Sequence, residues 1–250
     1  MKQGIFKGYI SFLKKPDFTK KVELSVIVKL IELFKIYLIT ILFLVLANLI
    51  NKILIKLGAY EDFTQYINKI TQLPNKTFSI TYLSFALCCA PILEEFTFRL
   101  LLTKYKKTYI IISISLIFGF LINRFFYAQL WHFKSVILFN IAPYLYPVLF
   151  ALPIFTLLFL IKFDFEYIWN RYYSRFFYLI AILFAILHIP ALDLNIGHLV
   201  FIPIIALPYF ISALSLGYAR NRYGILFSII LHFVLNAPLI VKTILEIKYR

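Results

Sequence analysis

Charge is scarce in this chain of 250 residues: Asp, Glu, Lys and Arg make up 15%, against about 25% in soluble domains. Hydrophobic residues reach 62%, where about 45–50% is usual, and one water-facing core cannot hide that surplus. Acidic residues are few as well, 11 against 26 Lys and Arg, for a net charge of +15. The excess invites a nucleic-acid partner, but the basic residues stand in short runs between apolar stretches, the pattern that orients membrane proteins. Nucleic acid is therefore excluded as a partner. Cysteine is limited to Cys88 and Cys89, whose adjacency gives neither zinc-finger spacing nor a redox CxxC, so both read as small packing residues. The chain also lacks HExxH, GxSxG, GxGD and the phosphate-binding GxxxxGK, which removes the commoner hydrolase and nucleotide-binding classes. No internal repeat or low-complexity linker stands out. The first 20 residues are too polar for a cleavable signal, and no small-residue cleavage site follows.

What is present is a series of apolar segments. The sequence predicts an all-α, polytopic membrane helix bundle of about seven spans (six to eight), near 36–57, 79–102, 108–123, 135–161, 176–191, 199–217 and 224–246. Before the first span, Ser25, Lys29, Glu32 and Lys35 recur at helical spacing between Val, Ile and Leu, which predicts an interfacial amphipathic helix over 22–35. Pro143, Pro147 and Pro153 predict a kink or a break in the fourth span. Seventeen of the 26 Lys and Arg fall on the side of the N-terminus, which is then cytoplasmic, although Lys242, Lys248 and Arg250 count against this. The aromatic run from Phe165 to Tyr178, with Trp169, Tyr172 and Tyr173, reads as an interfacial belt around Arg171 and Arg175. The expected location is the cell's inner (plasma) membrane.

Against this background three polar clusters stand out. Glu94, Glu95 and Arg99 read EExxxR, Phe184 and His188 read FxxxH, and His232 and Asn236 read HxxxN. Each ionisable group at the bilayer centre costs about 2.5–3.5 kcal/mol on insertion scales, so five of them call for a function. Counted from Lys104, Arg175 and Arg222 at 1.5 Å per residue, Glu94, His188 and His232 lie roughly 15, 20 and 15 Å deep. One cavity opening to the cytoplasm can therefore hold all three. Glu95 and Arg99, four apart, are expected to neutralise each other, leaving Glu94, about 100° around the helix, to face the cavity. Phe184 walls the His188 imidazole, and His232 and Asn236 share a face.

Such groups suit water activation. A desolvated glutamate serves as general base, a neutral histidine donates to an oxyanion or binds a metal, and Asn236 adds an uncharged donor. His188, His232 and Glu94 also make a two-histidine, one-glutamate donor set for a divalent metal, zinc above all. A Glu94 that ligates metal cannot freely act as the base, and spacing alone does not choose between metal-bound and protein-held water.

The three motifs, in this order on separate apolar helices, resemble the CAAX-protease and bacteriocin-processing (Abi) family of intramembrane endopeptidases. The resemblance covers roughly 78–240, and includes the Gly217–Asn236 stretch with Gly224 opening the last motif helix. Residues 1–77 (basic segment, interfacial helix, first span) and the basic tail 241–250 lie outside it. It implies that Glu94 activates water, that His188, His232 and Asn236 bind metal, water or the oxyanion, and that Glu95, Arg99 and Phe184 support them. The implied substrate is a membrane-associated protein or peptide, cut near its end. Ala185 departs from the pattern, since family members often carry glycine there.

Other readings use the same residues. A non-catalytic immunity or regulatory protein would keep the scaffold and bind a partner, while a transporter would use Glu94 and the histidines as a proton relay, against which the missing inverted repeat counts. His132 and His198 match no motif and read as solvated or interfacial. Pro91, Pro190 and Pro238 sit close to motif residues, and Asn75-Lys76-Thr77 fits a short sequon that is common by chance. Substrate identity and oligomeric state leave no trace in the sequence.

Overall fold

The longest helix shows most plainly where the apolar surplus of this chain lies. In the computed structural model, which describes residues 4–18, 23–60, 89–130, 136–161, 165–189 and 196–248, α2 runs from Val26 to Lys56. Of its 31 residues only Leu33, Ile36, Thr40 and Ala47 are buried, a single stripe at spacings of three, four and seven. Its other faces are apolar yet bare: Ile27 is 71% exposed, Phe34 59% and Leu42 59%. A contiguous apolar surface of this extent marks an interaction site, and the helix is long and apolar enough to cross a membrane.

The described residues are helical, with no strand among them. In chain order the helices are α1 (Ile5–Lys14), α2, α3 (89–98), α4 (Lys107–Leu130), α5 (Val136–Leu160), α6 (Glu166–His188), α7 (Ile196–Ile205), α8 (Leu207–Tyr223) and α9 (Ile225–Lys248). Two of them, Val26–Lys56 and the Lys107–Arg124 part of α4, are long and apolar enough to cross a membrane; Leu145–Leu160 and Ile225–Pro238 are shorter apolar helices. The chain divides into two units. The first comprises residues 1–72 and 173–231 and the second residues 73–172 and 232–250, so the divisions fall within α6 and within α9.

In the first unit, α8 is the central element, with Ala213, Ser215, Leu216, Gly217, Tyr218 and Ala219 all buried. Its small residues let α2 lie against it. Three hydroxyls meet at their junction: Tyr9 and Ser215 are 2.9 Å apart, and Thr40 Oγ1 is 2.8 Å from Ser215 Oγ. Thr40 also donates to the Ile36 carbonyl at 2.7 Å, so this buried cluster is fully served within protein. Burial pushes the Tyr9 hydroxyl up to about 12, outweighing the Ser215 bond, and the phenol stays a neutral hydrogen-bonding group at physiological pH. α1 is clamped further by aromatic edges, with Tyr9 and Phe12 packing on Tyr218 at 5.1 and 5.2 Å between centroids. Gly224 ends α8 at φ 107° and ψ 174°, a region essentially closed to other residues, and its N–H caps the Ala219 and Arg220 carbonyls. Ser228 Oγ, 2.9 Å from the Leu216 carbonyl, then pins the start of α9.

In the second unit, α4 and α5 pack closely along their lengths. Gly119 makes this possible, because a Cβ there would overlap the Pro147 carbonyl oxygen. Ser113 Oγ donates to the Phe96 carbonyl at 3.2 Å and joins α4 to α3, while Trp169 Nε1 donates to the Thr103 carbonyl at 3.2 Å.

Several expectations need correction. No separate interfacial helix covers 22–35. Ser25 caps α2 by accepting from the Val28 N–H, and the helix then continues unbroken into the first apolar segment. The polar residues expected to face water have partners within the unit instead: Glu32 Oε2 accepts from the Tyr223 hydroxyl at 2.6 Å, and Lys29 Nζ lies over the Phe227 ring. The short amphipathic helix is α1. The segment predicted over 199–217 is two helices meeting at Ala206, where Pro203 withholds a backbone donor and Pro208 sits in the first turn of the next helix. The proline-bearing α5 is a single helix, and α6 starts earlier than predicted, with a bend at Tyr172 (φ −112°, ψ 16°). Trp169 is buried rather than belted, while Tyr167 is exposed. Cys89 is exposed, not packed, because it stands six residues, or about 120° around the helix, from the buried Glu95. Cys88, Asn75-Lys76-Thr77, His132, Pro190 and the boundary at 77/78 lie outside the described residues.

Replacing Gly119 with alanine is expected to destabilise the protein by about 1–3 kcal/mol through overpacking. Thermal unfolding in detergent checks this; an unchanged midpoint would mean that α4 and α5 do not approach this closely.

Candidate active site

α3 presents two adjacent carboxylates to different surroundings. Successive helical residues are turned by about 100°, so Glu95 points into the unit while Glu94 stays at its margin. The Glu95 side chain is fully buried, and that of Glu94 is 18% exposed. The helix closes just beyond them, where the Glu95 carbonyl accepts from both Arg99 and Leu100 at 2.9 and 3.0 Å. Irregular backbone over 99–104 follows. Thr97 and Arg99, at 0% and 1% exposure, are buried beside Glu95. The Arg99 guanidinium also lies over the Phe98 ring, 5.7 Å from its centroid.

Arg99 Nε is 3.7 Å from Glu95 Oε1, the pairing expected from their four-residue spacing. A second contact had no signal in either motif alone. His232, on α9 and also buried, donates from Nδ1 to the same oxygen, Glu95 Oε1, at 2.9 Å. Its other nitrogen, Nε2, faces Glu94 Oε2 at 3.6 Å, which is ion-pair range but too long for a direct hydrogen bond. His232 is thus bracketed by the two glutamates. One imidazole and one guanidinium converge on one desolvated carboxylate, which is how a buried carboxylate is tolerated where an unpaired one would cost several kcal/mol. Asn236 stands one turn beyond His232 on α9 and is partly buried.

The FxxxH pair belongs to the first unit. His188 Nδ1 is 2.7 Å from the Phe184 carbonyl oxygen. A carbonyl only accepts, so Nδ1 carries the hydrogen, and the neutral ring keeps its lone pair on Nε2. The Phe184 ring walls the imidazole as expected, 4.1 Å between centroids, and Tyr209 of α8 packs on it at 5.2 Å. Tyr209 carries no motif signal and is a neighbour that sequence reasoning missed. Ala185 and Ile189 are buried with Ala206, against Ile202, Ile205 and Tyr209, so a methyl group occupies the position where related patterns often carry glycine.

Of the residues expected at the site, Glu94, Glu95, Arg99 and His232 therefore meet within the second unit, with Asn236 one turn away. The anticipated metal donors divide, Glu94 and His232 facing each other in the second unit and His188 belonging to the first. Among the described residues no group of three or more His, Cys, Asp or Glu is placed to hold a metal ion, whereas a catalytic zinc takes three protein ligands. No step is routed through a metal here.

Comparison of the chain with protein-family models, with curated proteins and with solved structures gives no match in any of the three. Function must be argued from the residues.

Replacing Arg99 alone with methionine is expected to cost about 3–5 kcal/mol, because one partner of a buried pair remains uncompensated. The double variant Arg99→Met/Glu95→Met should recover most of that loss, since apolar groups of similar volume often replace a buried pair at little cost. A double-mutant cycle on unfolding stability in detergent tests the pair; strictly additive losses would mean that it is not coupled.

Proposed function

We propose that this chain is an intramembrane endopeptidase of the CAAX-protease-like kind. On this reading it crosses the plasma (inner) membrane several times, about seven, with its N-terminus and the mouth of its site on the cytoplasmic side. Its substrate is a membrane-associated protein or peptide, cut near its end. The observation that carries the reading is the bracketing of His232 by Glu94 and Glu95 in a chain that is 62% hydrophobic.

Glu94 is the more accessible of the two carboxylates and is suited to take a proton from water. The water oxygen then bonds to the scissile carbonyl carbon, whose oxygen becomes an oxyanion. The Asn236 amide is the donor suited to stabilise that charge in a water-poor site. The C–N bond breaks as Glu94 passes its proton to the leaving nitrogen, which returns the carboxylate to its starting state. His188 enters this scheme through its motif alone. A divalent metal, zinc above all, stays part of the proposal only as a partner of Glu94 and His232, which face each other.

One observation favours a second reading, a non-catalytic immunity or regulatory protein that binds its partner on the same scaffold. Glu95, Arg99 and His232 already partner one another, so the cluster can serve as an internal tie with no chemistry to perform.

Glu94→Ala separates the two. The endopeptidase reading expects hydrolysis to fall by about 10²–10⁴-fold, the usual contribution of a general base, with expression unchanged. Comparing the termini of membrane peptides from cells carrying wild type or Glu94→Ala would name the substrate; identical termini in the two would reject proteolysis in favour of binding.

A further inference from the structure

The contact between His232 and Glu95 has a chemical consequence that the pairing of Glu95 with Arg99 does not have. An imidazole has two nitrogens, and which of them holds the hydrogen in the neutral ring is set by the partner of the other. A fully buried carboxylate oxygen 2.9 Å from Nδ1 accepts and cannot donate, so the hydrogen belongs on Nδ1. Nε2 is then the nitrogen turned to Glu94 Oε2, at 3.6 Å. Arg99 Nε approaches the same Glu95 oxygen at 3.7 Å, which helps to hold that carboxylate in place.

We infer that Glu95 is a positioning residue: by accepting from Nδ1 it fixes the His232 ring so that Nε2 is presented to Glu94, with Arg99 as the clamp on Glu95. Glu95 itself is fully buried and touches no reacting group. The inference rests on the hydrolytic reading only for its kinetic effect, whereas the position of the hydrogen is independent of any activity. Carboxylates that orient a working histidine in this way typically change activity by about 10–100-fold when removed.

The test is nitrogen NMR of the full-length chain, labelled with ¹⁵N-histidine in lipid nanodiscs, with the His232 signals assigned by their loss in His232→Asn. In its neutral form the wild-type ring should show Nδ1 protonated and Nε2 bare. Glu95→Gln, whose side-chain carbonyl still accepts, should keep that form. Glu95→Met should lose it, and where that variant fails to fold, Arg99→Met/Glu95→Met replaces it with the buried charges removed together. On a cleavable substrate Glu95→Met should lower kcat by about 10–100-fold with little change in KM, and Glu95→Gln should restore most of it. A wild-type spectrum with Nε2 protonated, or a Glu95→Met spectrum identical to it, overturns the inference. Finding the expected form in a chain that cleaves nothing supports the positioning of His232 and rejects the endopeptidase reading instead.

Discussion

A carboxylate shut away from water must find its counter-charge and its hydrogen bonds inside the protein, and Glu95 imposes that requirement on the second unit. Its local partner, Arg99, comes from the next turn of the same segment. Its other partner, His232, is 137 residues further along the chain, and the 2.9 Å bond between them ties α9 to α3. Arg99 Nε approaches that carboxylate to 3.7 Å, beyond direct hydrogen-bond distance. The imidazole supplies the close bond. The same contact decides which nitrogen of His232 meets Glu94, so one interaction both settles a buried charge and aims the group beside it.

The first unit meets a related constraint without charge. There Tyr9, Thr40 and Ser215 bring three hydroxyls from α1, α2 and α8 to one point, and each finds its partner among the others or in a helix carbonyl. Such a cluster specifies register, because sliding any helix by one turn would leave a buried hydroxyl unserved, at about 1–3 kcal/mol. Apolar packing alone would not do this along α2, where only four residues are buried and much of the remaining surface is interchangeable Leu, Ile and Val. The polar contacts choose the alignment.

Much of the site was legible because helical spacing is rigid. Four residues make about one turn, so the pairing of Glu95 with Arg99 and the stacking of Phe184 on His188 follow from their positions alone, and both occur. The same rule separates Glu94 from Glu95 and accounts for their different burial. Less legible were features that depend on what a residue meets. The polar face over 22–35 looked like a water-facing surface because Lys29 and Glu32 had no visible partners, yet Tyr223 and Phe227 supply them from nearly 200 positions away. Tyr209 walls His188 with no spacing to announce it, and Ala206 divides a segment whose hydropathy reads as continuous.

By itself, then, the sequence determined that the chain is helical, that apolar surface far exceeds what a water-facing core can bury, and which few ionisable groups stand within it. These are properties of composition and of a fixed 3.6-residue period, and they need no long-range information. Only the tertiary structure decided that His232 bonds to Glu95 while facing Glu94, because that choice depends on two helices meeting at one depth and rotation. Local periodicity sets which face of a helix a side chain occupies. The opposing face is chosen by packing, and that is where the chemistry of this cluster is assigned.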